Sequence, residues 1–236
     1  MGKVMYAGGK IKMTVPVADG TQIPSDGIAL SELPVGTIVM IPENDVLVPF
    51  CLAKHDYESG LNGTGRTLLV RRYIYGDYVW NDSPTNAYLM SSISTWLNTT
   101  YKGLLIDSVQ NAMGTTQFYY TLVGDNVTTT KTKRSVFLLS LYELGITVSN
   151  ANNEGSTLPI ASTILSTSTK DGEWTRTPNT SSSDKAWGVL VPGLDAPAFT
   201  GPVNVTPYGV RPCFTLPATT LVDPEPNADG TVNLKV

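Results

Sequence analysis

The chain offers few side chains that could perform covalent or acid–base chemistry. His55 is the only histidine among 236 residues, so a Ser–His–Asp or Cys–His site would have to use it. Its context, LAKHDYESG, is polar and typical of a surface loop, and the chain contains no Gly-x-Ser-x-Gly nucleophile elbow. Two cysteines, Cys51 and Cys213, are too few for a disulfide framework, although they could pair with each other. We expect a surface histidine, two buried free thiols and no catalytic residue.

Two tripeptides invite a calcium-dependent sugar site. Sugar-binding C-type lectins hold Ca²⁺ with Glu-Pro-Asn closely followed by Trp-Asn-Asp. Here Trp-Asn-Asp comes first, at Trp80–Asp82, and Glu-Pro-Asn follows at Glu225–Asn227. About 140 residues separate them, although Ca²⁺ needs six to eight oxygen ligands converging on one point. We therefore expect no metal ion and no other cofactor, and interpret EPNADG as a turn.

The composition favours an uncharged outer surface. Charged residues make up 15% of the chain and the net charge is −4, while Thr, Ser and Asn supply the polarity. The two basic clusters, Arg71-Arg72 and Lys131–Arg134, are too small to supply the many phosphate contacts of sequence-independent nucleic-acid binding. The start, MGKVMYAGGKIKMTV, lacks the apolar core of a signal peptide, and no apolar run approaches a membrane span. We expect synthesis in a cytoplasm and no membrane insertion. If the protein reaches the outside, assembly into a virus particle is one route that needs no such signal.

One segment combines apparent rigidity with small polar residues. From Gly172 the sequence reads GEWTRTPNTSSSDKAWGVLVPG, with Trp174, Arg176 and Pro178 within five positions before the polar run. The guanidinium group of arginine has five fixed donors. We expect Arg176 and Arg211 to be buried and to tie loop carbonyls or carboxylates together.

Short strands and few helices must position this segment. Residues 1–35 are typical of an arm, residues 146–212 are irregular with anchoring aromatic residues, and Asp229-Gly230 predicts a turn that leads into a last hairpin arm. Apolar runs predict strands in LPVGTIVMIPE, VLVPFCLAKHDY, RTLLVRRYIYGDYVW, RSVFLLS and AWGVLV. Helical spacing predicts helices in SSISTWLNTTYKGLL, LIDSVQNAM and SLYELGI.

The order of several motifs is similar to that of a known family. In this chain the motifs follow one another as SSISTWLNTTYKGLL, RSVFLLSLYELG, WTRTP, AWGV and YGVRPCFTLP. Their order resembles that of the family DUF6273, a domain of unknown function, over about residues 35–233. The resemblance implies an α+β fold of the C-type-lectin type, with short twisted sheets, two or three short helices and long irregular loops. It places this domain at residues 36–236, after the arm at residues 1–35.

The same resemblance implies a division of residues into frame and display. That broad fold group includes the variable proteins of diversity-generating retroelements, several of which lie at phage tail tips and bind host receptors. Changeable side chains there lie between fixed frame residues, a layout similar to residues 174–212 here. The frame would be Trp96, Trp174, Arg176, Pro178, Gly209, Arg211 and Pro212. The displayed residues would be Asn179, Ser181, Ser183, Lys185, Trp187, Leu190, Phe199, Asn204 and Tyr208.

We therefore expect a non-enzymatic ligand-binding protein of a phage tail or virion surface that recognises a protein or glycan on a bacterial cell. The arm would attach it to other subunits, and several copies, for instance a trimer, would add avidity. One alternative is a structural virion decoration whose segment at residues 179–208 is buried against a neighbour. Another is a bacterial surface adhesin. A third, an enzyme related to the formylglycine-generating group, requires an accessible Cys213.

Overall fold

The computed structural model describes residues 26–123, 128–168, 171–190, 197–205 and 207–235. Within these ranges the chain is α+β, as predicted, with two five-stranded sheets, two two-stranded sheets and short helices. The strands are β1 (Ile28–Ala29), β2 (Ile38–Glu43), β3 (Val46–Lys54), β4 (Arg66–Arg71), β5 (Asp77–Tyr78), β6 (Thr116–Thr121), β7 (Thr129–Arg134), β8 (Glu173–Pro178), β9 (Lys185–Val189), β10 (Ala198–Pro202), β11 (Tyr208–Gly209), β12 (Cys213–Pro217), β13 (Leu221–Val222) and β14 (Val232–Asn233). The α-helices are α1 (Ser59–Asn62), α2 (Ser92–Trp96), α3 (Asp107–Met113) and α4 (Ala161–Leu165).

The first large sheet, in the order β12-β4-β3-β2-β14, forms the centre of the core. Its pairs are antiparallel except β14 with β2, which is parallel. In β4 the consecutive residues Leu68, Leu69 and Val70 are all fully buried. A strand covered on both faces needs a continuous apolar run instead of an alternating one, which explains the sequence TLLV.

The second large sheet, in the order β10-β9-β8-β11-β5, takes four of its five strands from the region predicted to be irregular. All six residues of its central strand β8 are buried. Gly188 in β9 has a packing role, because a Cβ atom there would overlap the ring of Phe199 and the backbone carbonyl of Glu173. Part of this region is therefore regular sheet. The edge strand β10 can pack closely on β9 because Gly188 has no side chain.

The predicted helix in SSISTWLNTTYKGLL forms in three parts. The Ser91 hydroxyl caps α2 by accepting a 3.2 Å hydrogen bond from the backbone N–H of Ser94. A π-helical stretch, Leu97–Tyr101, and a 3₁₀ turn, Lys102–Leu104, continue it. Further 3₁₀ turns lie at Leu30–Glu32 and Tyr88–Met90. The prediction of α3 with a stop at Gly114 is confirmed, and Gly114 has a positive φ of 55°.

Two predicted elements are wrong in type. Residues 134–140 do not form a strand: after the end of β7 at Arg134 they make only one bridge, from Phe137 to Cys213, although Val136 to Ser140 are buried as expected. Residues 140–146 form turns instead of a helix. Ser140 and Glu143 make the reciprocal side-chain to backbone hydrogen bonds that begin a helix, but Gly145, with a positive φ of 75°, ends the segment after one turn.

Both ends of the described chain pack on the domain. β1 pairs with β13, and Leu30 is fully buried, so the predicted arm overlaps the packed unit from residue 26 to residue 35. Residues 1–25 of the arm lie outside the described residues. The predicted turn at Asp229-Gly230 is present, with a φ of 83° at Gly230, and the returning strand β14 pairs in parallel with β2.

Candidate functional site

Strand β8, which leads into the polar segment at residues 179–185, is held in the core by the buried Arg176 side chain. The guanidinium group donates to the backbone carbonyl of Tyr119 at 2.9 Å and to that of Leu138 at 2.8 Å. Its Nη1 atom also lies 2.6 Å from Oε2 of Glu143, and its Nε atom lies 3.9 Å from Oε2 of Glu154. The prediction that Arg176 ties carbonyls and carboxylates together is confirmed.

The two carboxylates around Arg176 are themselves hydrogen-bonded. Glu143 accepts a 2.5 Å hydrogen bond from the Tyr57 hydroxyl, and Glu154 accepts from the Thr121 N–H at 2.6 Å and from the Thr177 hydroxyl at 2.8 Å. Burial raises the pKa of Glu154, and the positive charge of Arg176 partly offsets that shift. Burial and then the Glu143 charge raise the pKa of Tyr57 far above its usual value. This buried network holds β8 in place.

Arg211 forms a second buried ion pair, as predicted. Its Nε atom donates to both carboxylate oxygens of Glu173, at 3.1 and 3.0 Å, and Nη2 lies 2.8 Å from Oε2 of the same residue. Nη1 donates to the backbone carbonyls of Arg71 and Arg72 and to the Thr167 hydroxyl. Because Glu173 begins β8 and Arg176 is its fourth residue, arginines anchor that strand at its start and near its middle.

Asn86 holds the turn between β8 and β9, and sequence reasoning missed it. Its side chain is fully buried, and Nδ2 donates to the carbonyls of Asn179, Ser182 and Lys185 at 2.9, 2.7 and 2.8 Å. Its backbone N–H donates to the carbonyl of Ser183 at 2.8 Å. No local pattern in NDSPTNAYL marks this contact, since the acceptors lie more than 90 positions away.

Four of the predicted display residues are exposed and lie at one end of the second sheet. Ser181 and Ser183 are in the β8–β9 turn, and Lys185 follows it. Asn204 joins them because Lys185 pairs with Pro202 across β9 and β10, and the next residue, Val203, donates to the carbonyl of Asp184. We call Ser181, Ser183, Lys185 and Asn204 the polar end.

Asn179 is not a displayed residue, which corrects the prediction. It is 8% exposed, and its Oδ1 atom accepts from the N–H of Ser181 at 2.9 Å and from the Ser181 hydroxyl at 2.8 Å. Such a side-chain turn satisfies backbone groups locally and favours burial of the amide. Asn179 therefore shapes the turn that carries the polar end.

The predicted display aromatics are only partly accessible. Phe199 and Tyr208 are half-buried, with ring centroids 4.5 Å apart, and Tyr208 meets the buried Trp174 ring edge-on at 4.8 Å. Trp187 is half-buried and donates from Nε1 to the Asn150 carbonyl at 2.9 Å. These rings pack on the sheet, so they stabilise it in addition to any contact that they make with a ligand. Leu190 is half-buried beyond the end of β9 that is remote from the polar end.

The remaining predicted frame residues are buried or half-buried. Trp96 is half-buried and stacks on Tyr78 with a centroid distance of 4.6 Å. Gly209 donates from its N–H to the carbonyl of Gly172 at 3.0 Å. Three of the predicted frame positions are buried without a side-chain hydrogen-bonding group: Pro178, Gly209 and Pro212.

A polar depression of about 330 Å³ lies against the β8–β9 turn. Its wall is formed by residues 179–183, with Asn86 and Val123 completing the lining. All of these lining side chains are neutral. The depression can therefore accept a ligand through hydrogen bonds and a small apolar contact, without an ion pair to its wall.

His55 and the two cysteines are structurally engaged. His55 is half-buried, which differs from the predicted surface position: Nε2 lies 2.9 Å from the Leu33 carbonyl oxygen, and Nδ1 lies 3.3 Å from the Thr67 hydroxyl. Cys51 and Cys213 are free and buried, as predicted. Burial raises the pKa of the Cys213 thiol far above its ordinary value, so this thiol is protonated at neutral pH.

The cysteines cannot pair without backbone movement. Both are in register with Val70 of the central strand β4, one on each side of it. Their Cα atoms are thus two strand spacings, about 9.5 Å, apart. A disulfide needs Cα atoms within about 7 Å of each other.

The residues of the two lectin-like tripeptides serve local hydrogen bonds. Asn81 is buried; Oδ1 accepts from the Ser92 N–H at 3.0 Å, and Nδ2 donates to the Thr85 carbonyl at 2.8 Å. Asn227 donates to the side chains of Thr231 and Asn233 across the closing turn. In the part of the chain that the structure describes, no group of three His, Cys, Asp or Glu residues could hold a metal ion.

The comparison with known proteins gives one match. The model of a family described as a domain of unknown function, DUF6273, matches residues 64–218, a range that includes the polar end, both buried arginines and Asn86. No curated protein and no solved structure matches the chain. Among the described residues, no helix has both the length and the apolar character needed to cross a membrane. Because the match covers more than half of the sequence, as the motif order predicted, the chain belongs to the DUF6273 family.

Proposed function

We propose that this protein is a non-enzymatic ligand-binding protein of a phage tail or virion surface, and that its polar end recognises a receptor on a bacterial cell. The observation that carries the proposal is that exposed polar side chains follow directly on a strand that is anchored in the core. Ser181, Ser183, Lys185 and Asn204 are exposed, whereas the strand that leads into their turn is anchored by the buried Arg176 and by the Arg211–Glu173 pair.

Such a contrast favours recognition because a pre-formed surface loses little conformational entropy when it binds. Serine and asparagine side chains provide adaptable hydrogen bonds, and lysine adds a charge. In the described part of the chain, the side chains of Ser183, Lys185 and Asn204 make no hydrogen bond or ion pair. Their side chains are free to meet a partner and can change without loss of a supporting contact.

The non-enzymatic part of the proposal is supported by the environment of Cys213. An enzyme of the formylglycine-generating type would need this thiol to be accessible, but it is fully buried and donates to the Phe137 carbonyl at 3.1 Å. Its raised pKa removes the thiolate that nucleophilic chemistry requires.

The proposal also includes a fold group, a source of variation and a mode of attachment. These rest on the motif order and on the way the predicted display residues lie between the predicted frame residues. We place the domain in the C-type-lectin-like fold group and the exposed positions among those that a retroelement could diversify. The arm predicted at residues 1–35, of which residues 26–35 pack on the domain, would attach the domain to virion subunits. A homo-oligomer such as a trimer would multiply weak single contacts.

The test is binding of purified protein to intact cells from a broad panel of bacterial species, measured by flow cytometry. The variant Lys185→Ala/Asn204→Ala removes two exposed side chains that support no contact of the fold. We expect it to fold normally and to lose at least tenfold in apparent affinity, the equivalent of about 1.4 kcal/mol.

The matched control is Lys131→Ala/Asn111→Ala. It removes the same two residue types from exposed positions on β7 and α3, away from the polar end. Unchanged binding by this control assigns the loss to the polar end. Equal binding by both variants would contradict the assigned surface, and absence of binding across the whole panel would contradict receptor recognition.

A further inference from the structure

The side-chain oxygen of Asn86 is a buried hydrogen-bond acceptor without a partner. Asn86 is fully buried, and its Oδ1 atom accepts no hydrogen bond in the described part of the chain. The amide orientation is fixed, because Nδ2 donates to three carbonyls, those of Asn179, Ser182 and Lys185. Rotating the amide by 180° would place Oδ1 against the same three oxygens. The missing partner must therefore be a donor that reaches Oδ1.

An unpartnered buried acceptor is costly, and such atoms are rare in folded proteins. Asn86 lines the polar depression against the β8–β9 turn. Oδ1 itself has no exposed surface, so a ligand that enters this depression can satisfy it with an O–H or N–H group only when the wall side chains at residues 180–183 move aside. The cost of leaving this oxygen unsatisfied in the free protein would then favour the bound state.

The walls of the depression define the ligand chemistry. Residues 180–183 supply four hydroxyl side chains. Those of Thr180 and Ser183 can both donate and accept, whereas those of Ser181 and Ser182 already donate to the side chains of Asn179 and Asp184 and can only accept. Val123 supplies an apolar surface, and no lining residue carries a charge. A sugar ring has the matching character, since its hydroxyl groups both donate and accept around a C–H surface. A cation or an anion would find no counter-charge in this wall.

We propose that the depression at Asn86 is a subsite for one neutral sugar ring of a bacterial cell-surface glycan, and that a hydroxyl group of the ring donates to Asn86 Oδ1. This inference rests on the proposed function and deepens it by naming the ligand class. The volume of about 330 Å³ lies near the lower end of the ~300–1,000 Å³ found for small-ligand pockets, which suits one ring and not a longer rigid ligand.

The test is nuclear magnetic resonance of the ¹⁵N-labelled full chain, titrated with neutral methyl glycosides. We expect at least one glycoside to give a saturable shift of the Asn86 side-chain amide, with a dissociation constant of about 1–50 mM, as for a weak single site. A variant of Asn86 itself could unfold the turn, so the blocking variant is Ser183→Trp. Ser183 is exposed and lines the depression, and its side chain supports no described contact.

The matched control is Ser183→Ala, which keeps the depression open. We expect Ser183→Trp to abolish the glycoside shift and Ser183→Ala to reduce its affinity by less than about fivefold. The proposal is overturned if no neutral glycoside shifts Asn86 up to about 100 mM, since water alone would then satisfy Oδ1. It is also overturned if Ser183→Trp leaves the shifts intact, or if N-acetyl amino-acid amides saturate the site while glycosides do not.

The cell-binding assay separates failure of this subsite from failure of the proposed function. Binding that is lost in Lys185→Ala/Asn204→Ala but retained in Ser183→Trp would keep the receptor surface and remove the sugar subsite. A glycoside shift at Asn86 without any cell binding would keep the subsite and contradict receptor recognition.

Discussion

Nη1 of Arg176 lies 2.6 Å from Oε2 of Glu143, and neither side chain has any exposed surface. The pair joins β8 to the turn that follows residue 140, and Glu154 adds a second carboxylate 3.9 Å from the guanidinium group. The ring of Phe118 covers the same arginine at 5.0 Å. A charged group this deep stabilises only while its partners are present. The network therefore sets a rigid position for the strand that leads into the polar end.

Breaking this pair is expected to destabilise the protein strongly. Glu143→Gln removes the negative charge that faces Arg176, and Arg176→Met leaves two carboxylates without their cation. We expect each variant to lower the free energy of unfolding by about 3–5 kcal/mol, the usual cost of one uncompensated buried charge. Urea denaturation monitored by tryptophan fluorescence measures the change. Lys131→Met, at an exposed position, is the control and should change stability by less than about 0.5 kcal/mol.

The raised pKa of Glu154 predicts a specific pH dependence. Burial, the largest cause, makes the folded protein bind the Glu154 proton more tightly than the unfolded chain does. The associated stability is fully present below the ordinary value of 4.5 and is lost as pH rises through the raised folded value. In Glu154→Gln this proton equilibrium is absent. The free energy of unfolding of the natural protein minus that of Glu154→Gln should thus fall as pH rises from about 4 to 7. A difference that stays constant or rises would contradict a raised pKa.

Asn179 and Asn204 should respond differently to the same substitution. Asn179→Ala removes two hydrogen bonds within the turn and should cost about 1–3 kcal/mol, because each such bond contributes about 0.5–1.5 kcal/mol net. Asn204→Ala removes an exposed side chain and should cost less than about 0.5 kcal/mol. Thermal unfolding of the two variants measures the contrast. Equal losses would show that Asn204 supports the fold, against its assignment to the polar end.

The thiols are expected to be unreactive in the folded protein. Cys51 is 3% exposed and Cys213 has no exposed surface, and burial raises the pKa of both. An aromatic disulfide reagent at pH 8 should therefore label neither thiol within minutes, and both after denaturation in guanidinium chloride. Fast labelling of Cys213 in the folded protein would reopen the enzymatic alternative. Release of fewer than two thiols after denaturation without reductant would indicate a disulfide.

The sequence predicted best where a local signal determines structure. Ser91 as the cap of α2 and Gly114 as the stop of α3 act within one helical turn, so their residue types are enough. The apolar run at residues 134–140 predicted burial, which is confirmed, and a strand, which is wrong. A buried extended segment and a paired strand have the same composition, so the sequence does not distinguish them.

The site was predictable only in part, because its main contacts are distant along the chain. Burial of Arg176 followed from its place in WTRTP, but Glu143 lies 33 positions before it, and nothing in SLYELGI marks an inward carboxylate. The Asn86 contact spans 93 positions to Asn179. Ser181, Ser183 and Lys185 were expected on the surface from the layout that the family resemblance implies. Their proximity to Asn204 depends on the pairing of β9 with β10.

Receptor recognition through the polar end is tested most directly by attaching a bulky polymer to that surface in an otherwise natural protein. Asn204→Cys introduces an exposed thiol, whereas the two native thiols are buried. A polyethylene glycol maleimide should therefore modify residue 204 alone. Cell binding is then measured before and after modification, with Asn111→Cys on α3 as the control. We expect the adduct at residue 204 to abolish binding and the adduct at residue 111 to leave it unchanged. Full binding by the protein modified at residue 204 would contradict recognition through the polar end.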